Sequence, residues 1–194
     1  HHIRIPANTP PGLYKLTMSL YEPATLATLP VLSATDGALL DPGTRELALI
    51  QVGDAPQTAT QFEQPWQFDR WFALSGAGLP SSLKGGDVLP LQLQWDSLET
   101  TPTDYTVFVH VVGPDGQTVA QQDWQPLQNY APTHLWHKGL RLVDDRYGIQ
   151  LPPDLAPGTY TVQVGMYTDA GRLPVTHNGE PAGDFAVAGT FEVP

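Results

Sequence analysis

Cysteine is absent from this chain of 194 residues. Disulfides, thiolate nucleophiles and cysteine-based metal sites are therefore excluded, while the redox compartment stays open. Positive charge is scarce: 9 Lys and Arg stand against 20 Asp and Glu, a formal net charge of −11. That balance argues against nucleic acid, whose phosphates require basic side chains. It argues equally against docking on anionic membrane surfaces. Charge of either sign is thin, 15% of residues against about 25% in an average soluble protein. No apolar run approaches the roughly 20 residues that cross a bilayer, and no signal-peptide pattern is visible. No segment carries a convincing amphipathic helical period.

Turn formers and strand signals fill the space instead. The chain holds 20 Pro and 18 Gly, a composition of many turns and little helix. In residues 13–21, Tyr14, Leu16, Met18 and Leu20 alternate with Lys15, Thr17 and Ser19, the period of a half-buried strand. Residues 45–52 (RELALIQV) alternate too. In 88–95, Leu89, Leu91, Leu93 and Trp95 share one face and Gln92 and Gln94 the other. Pro90 marks an edge position or a strand start. Residues 104–112 (DYTVFVHVV) are apolar on both faces, as in a central strand, and GPDGQ at 113–117 turns them into a hairpin with 117–123. Short strands are expected at 139–143, 146–151 and 171–175, and longer ones at 159–168 and 188–193. Residues 22–44 and 176–187 read as long loops. Many short strands with frequent turn signals predict a sandwich or barrel.

The chain also says one thing twice. PPGLYKLTMSLY (10–21) and APGTYTVQVGMY (156–167) align at a constant offset, along which Ile3, Pro6, Pro11, Gly12, Tyr14 and Tyr21 return as Ile149, Pro152, Pro157, Gly158, Tyr160 and Tyr167. Leu16, Met18 and Leu20 return as Val162, Val164 and Met166. After a two-residue slip, LPV at 29–31 returns at 173–175. Order, spacing and strand parity agree, which is the signature of an internal duplication. Pro-Gly sets a tight turn, and the Tyr that follows is either a core aromatic or a tyrosine that bonds back across a corner. Strands precede the second copy and none precede the first. Residues 68–194 are thus expected to form a complete unit, 54–67 a linker or lead-in strand, and 1–53 the closing half of a preceding unit. The expected context is an array of such units, cut where this chain begins.

The complete unit reads Leu74-Ser-Gly-Ala-Gly-Leu79, GGDVLPLQLQW (85–95), DYTVFVHVVGPDGQTVAQQD (104–123), YAPTHLW (130–136), LPPDLAPGTYTVQVGMY (151–167) and GRLPV (171–175). It resembles a β-sandwich repeat of large bacterial cell-surface proteins, often appended to a mannosyltransferase-like region that spans the membrane several times. The likeness covers nearly all of 68–194, and its tail matches 3–52. It departs at Lys138, where that pattern has Pro, and in the Gly-poor loop 124–130. The resemblance implies an accessory exterior domain and transfers no catalytic residue to this chain.

Candidate sites follow from residue type. His134 and His137 flank Trp136 at a spacing that would chelate zinc on a helix, but the stretch reads as loop. His110 lies in an apolar strand and is expected to be a hydrogen-bonded, partly buried imidazole rather than a base. Asp123, Asp144 and Asp145 sit beside turns and are the candidate donors for a hard cation such as Ca2+, though no EF-hand spacing supports them. Trp95 belongs with the core. Trp124, Tyr130 and Trp136 bracket a loop of Gln, Asn and Pro, the kind of aromatic and amide surface on which sugars stack. A lid folded over the sandwich end is the plainer reading of that loop.

The expectation is an all-β, immunoglobulin/fibronectin-III-like antiparallel β-sandwich, one complete unit plus the C-terminal half of a preceding repeat. Its expected role is non-catalytic, as a structural or interaction module of an extracytoplasmic, membrane-anchored surface protein. No cofactor is expected beyond a weak Ca2+ site. Expected partners are adjacent repeats, with a glycan at Trp124, Tyr130 and Trp136, or a second copy by strand exchange, as alternatives. Nucleic acid and direct membrane insertion are excluded.

Overall fold

The computed structural model describes residues 3–41, 43–54, 58 and 60–194. The chain is an all-β protein of antiparallel sheets that divides into two compact units, His1–Asp54 and Ala55–Pro194.

The first unit contains β1 (Gly12–Met18), β2 (Val31–Leu32), β3 (Leu39–Asp41) and β4 (Arg45–Val52). β1 pairs with β4, and β2 with β3. The stretch 22–44 is therefore not all loop: LPV leads into a short hairpin. Lys15 Nζ lies 2.6 Å from Glu46 Oε1. The apolar face read from the sequence is left open within this unit, with Tyr14 38%, Met18 47% and Leu20 63% exposed.

The second unit is a sandwich. One sheet holds β5 (Thr60–Phe68), β6 (Phe72–Gly78), β7 (Val88–Ser97), β10 (Arg141–Gln150), β13 (Val175–His177) and β14 (Glu180–Pro181), in the order β10-β7-β6-β5-β13-β14. The other holds β8 (Thr106–Val112), β9 (Thr118–Trp124), β11 (Gly158–Thr168), β12 (Gly171–Arg172) and β15 (Ala186–Val193). Its order is β12-β11-β8-β9, with β15 also on β11. Val107, Val109 and Val111 of β8, Val162, Val164 and Met166 of β11, and Leu89, Leu91, Leu93 and Trp95 of β7 are all buried. Each such side chain contributes about 1.5–3 kcal/mol.

Of 54–67, expected as a linker or lead-in strand, residues 60–67 belong to the sheet as part of β5. The two strands expected at 139–143 and 146–151 are one strand, β10, whose pairing with β7 slips between Asp144 and Tyr147. Such a bulge breaks the period-two pattern and hides the continuity from sequence. Pro90 is tolerated because β6 pairs with β7 only from Gln92 to Ser97. On that side, residues 88–91 run as an edge, where a missing N–H costs nothing. Gln94 is the reverse case, an expected surface residue that is fully buried. Its Oε1 accepts from Gln61 Nε2 at 3.0 Å and Thr58 N at 3.2 Å, and its Nε2 donates to Gln61 Oε1 at 2.8 Å and Ser75 Oγ at 2.9 Å. With both donors and both acceptor sites used, the amide can be buried without penalty.

The two units contain the same ladder. Seven pairs join β1 to β4, from Gly12 opposite Val52 to Met18 opposite Arg45, with a slip after Leu16. Seven pairs join β11 to β15, from Gly158 opposite Val193 to Val164 opposite Ala186, with a slip after Val162. Gly12 and Gly158 both hold positive φ, +155° and +146°, which favours glycine. The hydroxyls of Tyr14 and Tyr160 donate to the carbonyls of Pro10 and Ala156, each at 2.9 Å. Tyr21 bridges to Thr28 as Tyr167 pairs with Arg172. Leu29 N–H reaches Leu20 O as Leu173 N–H reaches Met166 O, both at 2.8 Å. Exposure separates the copies: Tyr160 is 2% exposed, against 38% for Tyr14. In the second unit the sheet built on β7 covers the face.

Candidate binding groove

The loop from β9 to β10 covers one end of the sandwich, and its anchors are polar. Thr133, in a single 3-10 turn (Thr133–Leu135), donates through Oγ1 to Thr103 O at 2.7 Å and accepts from Tyr105 N at 2.9 Å. Trp136 donates its indole N–H to Ala131 O at 2.8 Å and packs edge-on against Phe72, with ring centres 5.1 Å apart. At the start of the loop, the buried Asp144 carboxylate accepts the Leu127 N–H at 2.7 Å.

That anchor holds a strained turn. Leu127, Gln128 and Asn129 have φ of 53°, 55° and 67°, three successive left-handed residues without a glycine. Each costs about 1–2 kcal/mol. Asn is the natural occupant of this region, whereas Leu and Gln are not. Burial of Leu127, its bond to Asp144 and the Asn129 N–H bond to Gln125 O keep the turn in place. The turn leaves Gln128 and Asn129 on the surface.

Beside this turn lies an open groove of about 820 Å³. Its walls are Trp124, Gln125, Gln128 and Asn129 on one side and Thr106, Asp123 and Tyr167 on the sheet. Trp124 is half-buried and stacks on Tyr147, with centroids 6.1 Å apart and planes 22° apart. Burial, and then Asp144 beside it, hold the Tyr147 hydroxyl well above the usual tyrosine range, so the support behind Trp124 is neutral. Tyr167 donates its hydroxyl to Asp123 Oδ2 at 3.1 Å, and burial followed by that bond raises its own pKa.

A smaller hollow of about 170 Å³ continues the groove across the outer face of β8 and β11, sharing Asp123 and Tyr167 and adding His110 and Arg172. Arg172 lies over the Phe108 ring, 4.3 Å from its centre, and bonds Asp184 Oδ2 at 3.3 Å. Phe108 is an outward residue of β8 yet buried, because it fills the space above Gly165, where a Cβ would overlap the ring. The His110 ring packs against Phe108 at 4.8 Å, and no side-chain hydrogen bond to it is found among the described residues. Burial and the Arg172 guanidinium lower its pKa, with Asp123 opposing them. The expected hydrogen-bonded imidazole is instead a ring tilted against Phe108 with an interplanar angle of 38°.

The candidate residues thus separate. Trp124 lines the groove. Trp136 is 1% exposed with its N–H already bonded, so it offers no face to a ligand, and its place in the sugar site is corrected to a lid anchor. Tyr130 is half-buried in the loop and does not line the groove. The cation set does not assemble. Asp144 is buried and turned to Leu127 N–H, its neighbour Asp145 is exposed, and Asp123 is engaged by Tyr167. His134 binds Asp104 Oδ1 through Nδ1 at 2.7 Å while His137 Nδ1 lies 3.1 Å from Lys138 O, so they share no ligand point. Among the described residues no three His, Asp or Glu side chains converge as a metal site requires. Sequence reading missed Tyr167, Gln128 and Asn129. Tyr167 was visible as the last aromatic of the repeated stretch, while the left-handed turn has no sequence signal without glycine.

The fold defines an all-β sandwich protein. No family model and no curated protein sequence matches the chain. Among the described residues no helix is long and apolar enough to cross a membrane.

Proposed function

We propose that this chain is a non-catalytic module of an extracytoplasmic surface protein, built from one complete sandwich of immunoglobulin or fibronectin-III character and the closing half of an equivalent unit. The observation that carries the reading is the shared ladder: the same seven-pair register, the same slip, the same positive-φ glycine and the same tyrosine bond in both units. Chance agreement at one of these points is ordinary, whereas agreement at all of them in one order is what a duplicated unit produces. Among the described residues, the first unit holds counterparts of β11 to β15 and none of β5 to β10. The open face of Tyr14, Met18 and Leu20 is then an interface. Its partner is a sheet of the β7 type from an adjacent repeat, with strand exchange between copies as the other route.

The test is a chimera in which residues 3–54 replace residues 149–194 behind the front half of the second unit. Equivalence predicts one cooperative unfolding transition and slow amide exchange at Tyr14, Leu16 and Met18. A chimera in which these amides exchange as freely as in the intact chain overturns the reading.

A further inference from the structure

The groove beside Trp124 is a surface that a role as spacer or scaffold does not use. We propose that it is a binding site for neutral oligosaccharides of the pyranose class.

Three observations carry this. The first is the lining. Its aromatic face is the Tyr167 ring on the outer face of β11, Trp124, opposite the inward Val107, closes the end of β9, and its polar part is a carboxylate, Asp123, with the primary amides of Gln125, Gln128 and Asn129. Aromatic faces take the C–H faces of a sugar ring, while a carboxylate accepts from adjacent hydroxyls and amides donate and accept in turn. Among the described residues no aliphatic side chain lines the groove, which leaves no pocket there for a Leu or Val anchor of a peptide.

The second observation is that the groove is pre-built. Tyr167 and Asp123 are bonded to each other, Trp124 is backed by Tyr147, and the left-handed turn carrying Gln128 and Asn129 is locked to Asp144. A site ordered before binding spares the ligand the entropy of ordering it. Strained backbone persists where surrounding structure over-determines it, and such places gather at ligand clamps.

The third is shape and charge. The groove is open rather than enclosed and runs on across the sheet to His110 and Arg172, which suits an extended chain of rings. Asp123 is its carboxylate, and the chain as a whole carries −11. Both repel uronic and sialic acids, and Arg172 at the far end is already paired with Asp184, which makes neutral sugars the ligand.

This inference does not rest on the duplicated unit, and its test uses the intact chain, which keeps the two readings distinguishable. Its test is a glycan array probed with the intact chain, followed by calorimetric titration of the best neutral hexose oligosaccharides and of matched oligouronides. Neutral oligosaccharides should bind and oligouronides should not. Tyr167→Ala and Asp123→Asn should each weaken binding about tenfold. The surface variant Gln128→Ala should weaken it severalfold with an unchanged melting temperature, so a loss of fold cannot mimic the result. Trp66→Ala, outside the groove, should leave affinity unchanged. Several outcomes would overturn the proposal: no neutral glycan bound at millimolar concentration, equal binding of oligouronides, the same loss in Trp66→Ala, or a peptide displacing the glycan by pairing with the β9 edge.

Discussion

Single residues on the outer face of β8 and β11 behave as a stack: Arg172 over Phe108, and Phe108 over Gly165. Gly165→Ala places a methyl where the Phe108 ring lies, and the cost is expected to be about 1–3 kcal/mol by chemical denaturation. His110 sits at the edge of that stack and titrates accordingly. Burial and Arg172 lower its pKa from the ordinary 6.5. The unfolded chain therefore binds the proton more readily, so stability is full above the unfolded value and falls as pH drops through it toward the folded one. An NMR titration should place His110 below the ordinary histidine range. Arg172→Gln should raise it and Asp123→Asn should lower it further. A His110 that titrates at the ordinary value in all three proteins contradicts the packing described. Tyr160 offers a separate check: Tyr160→Phe removes the bond to Ala156 O and should cost about 1 kcal/mol, more than the exposed Tyr14→Phe.

At the scale of elements, regular alternation was legible and its interruptions were not. β1, β4 and β11 follow from period-two patterns, because a strand with one buried face writes that face into its sequence, and β8 and β9 follow from a run apolar on both faces and from GPDGQ. β10 was read as two pieces, since its slip at Asp144–Tyr147 puts a carboxylate where the pattern expects an apolar residue. Gln94 looked solvated because amides usually are, and only the approach of Gln61, Thr58 and Ser75 accounts for its burial. Two of the three expected sugar-site residues, Tyr130 and Trp136, do not line the groove, for a related reason. Trp124 closes β9 and Trp136 lies in the loop that follows, and the burial of Trp136 depends on Phe72, far away in sequence. The loop itself hangs on Asp144. Asp144→Ala leaves the Leu127 N–H without its acceptor, and the expected loss is about 1–3 kcal/mol with faster exchange at the Leu127 amide. Asp144→Asn keeps an acceptor and should lose less.

At the scale of the whole molecule, two units of unequal content carry one closing architecture. The repeat was the most legible feature of the sequence, because identity at Pro11, Gly12, Tyr14 and Tyr21 needs no structural inference. Its consequence was less visible: the same tyrosine is buried in one unit and open in the other, a difference of partner and not of sequence. The measurement that bears most directly on the shared ladder is a cross-strand NOE map of both units in the intact chain. The account predicts Tyr14 opposite Ile50 and Met18 opposite Arg45, with Leu47 skipped, beside Tyr160 opposite Phe191 and Val164 opposite Ala186, with Ala188 skipped. A continuous ladder in one unit and a slipped one in the other, or different registers at the two tyrosines, would contradict it.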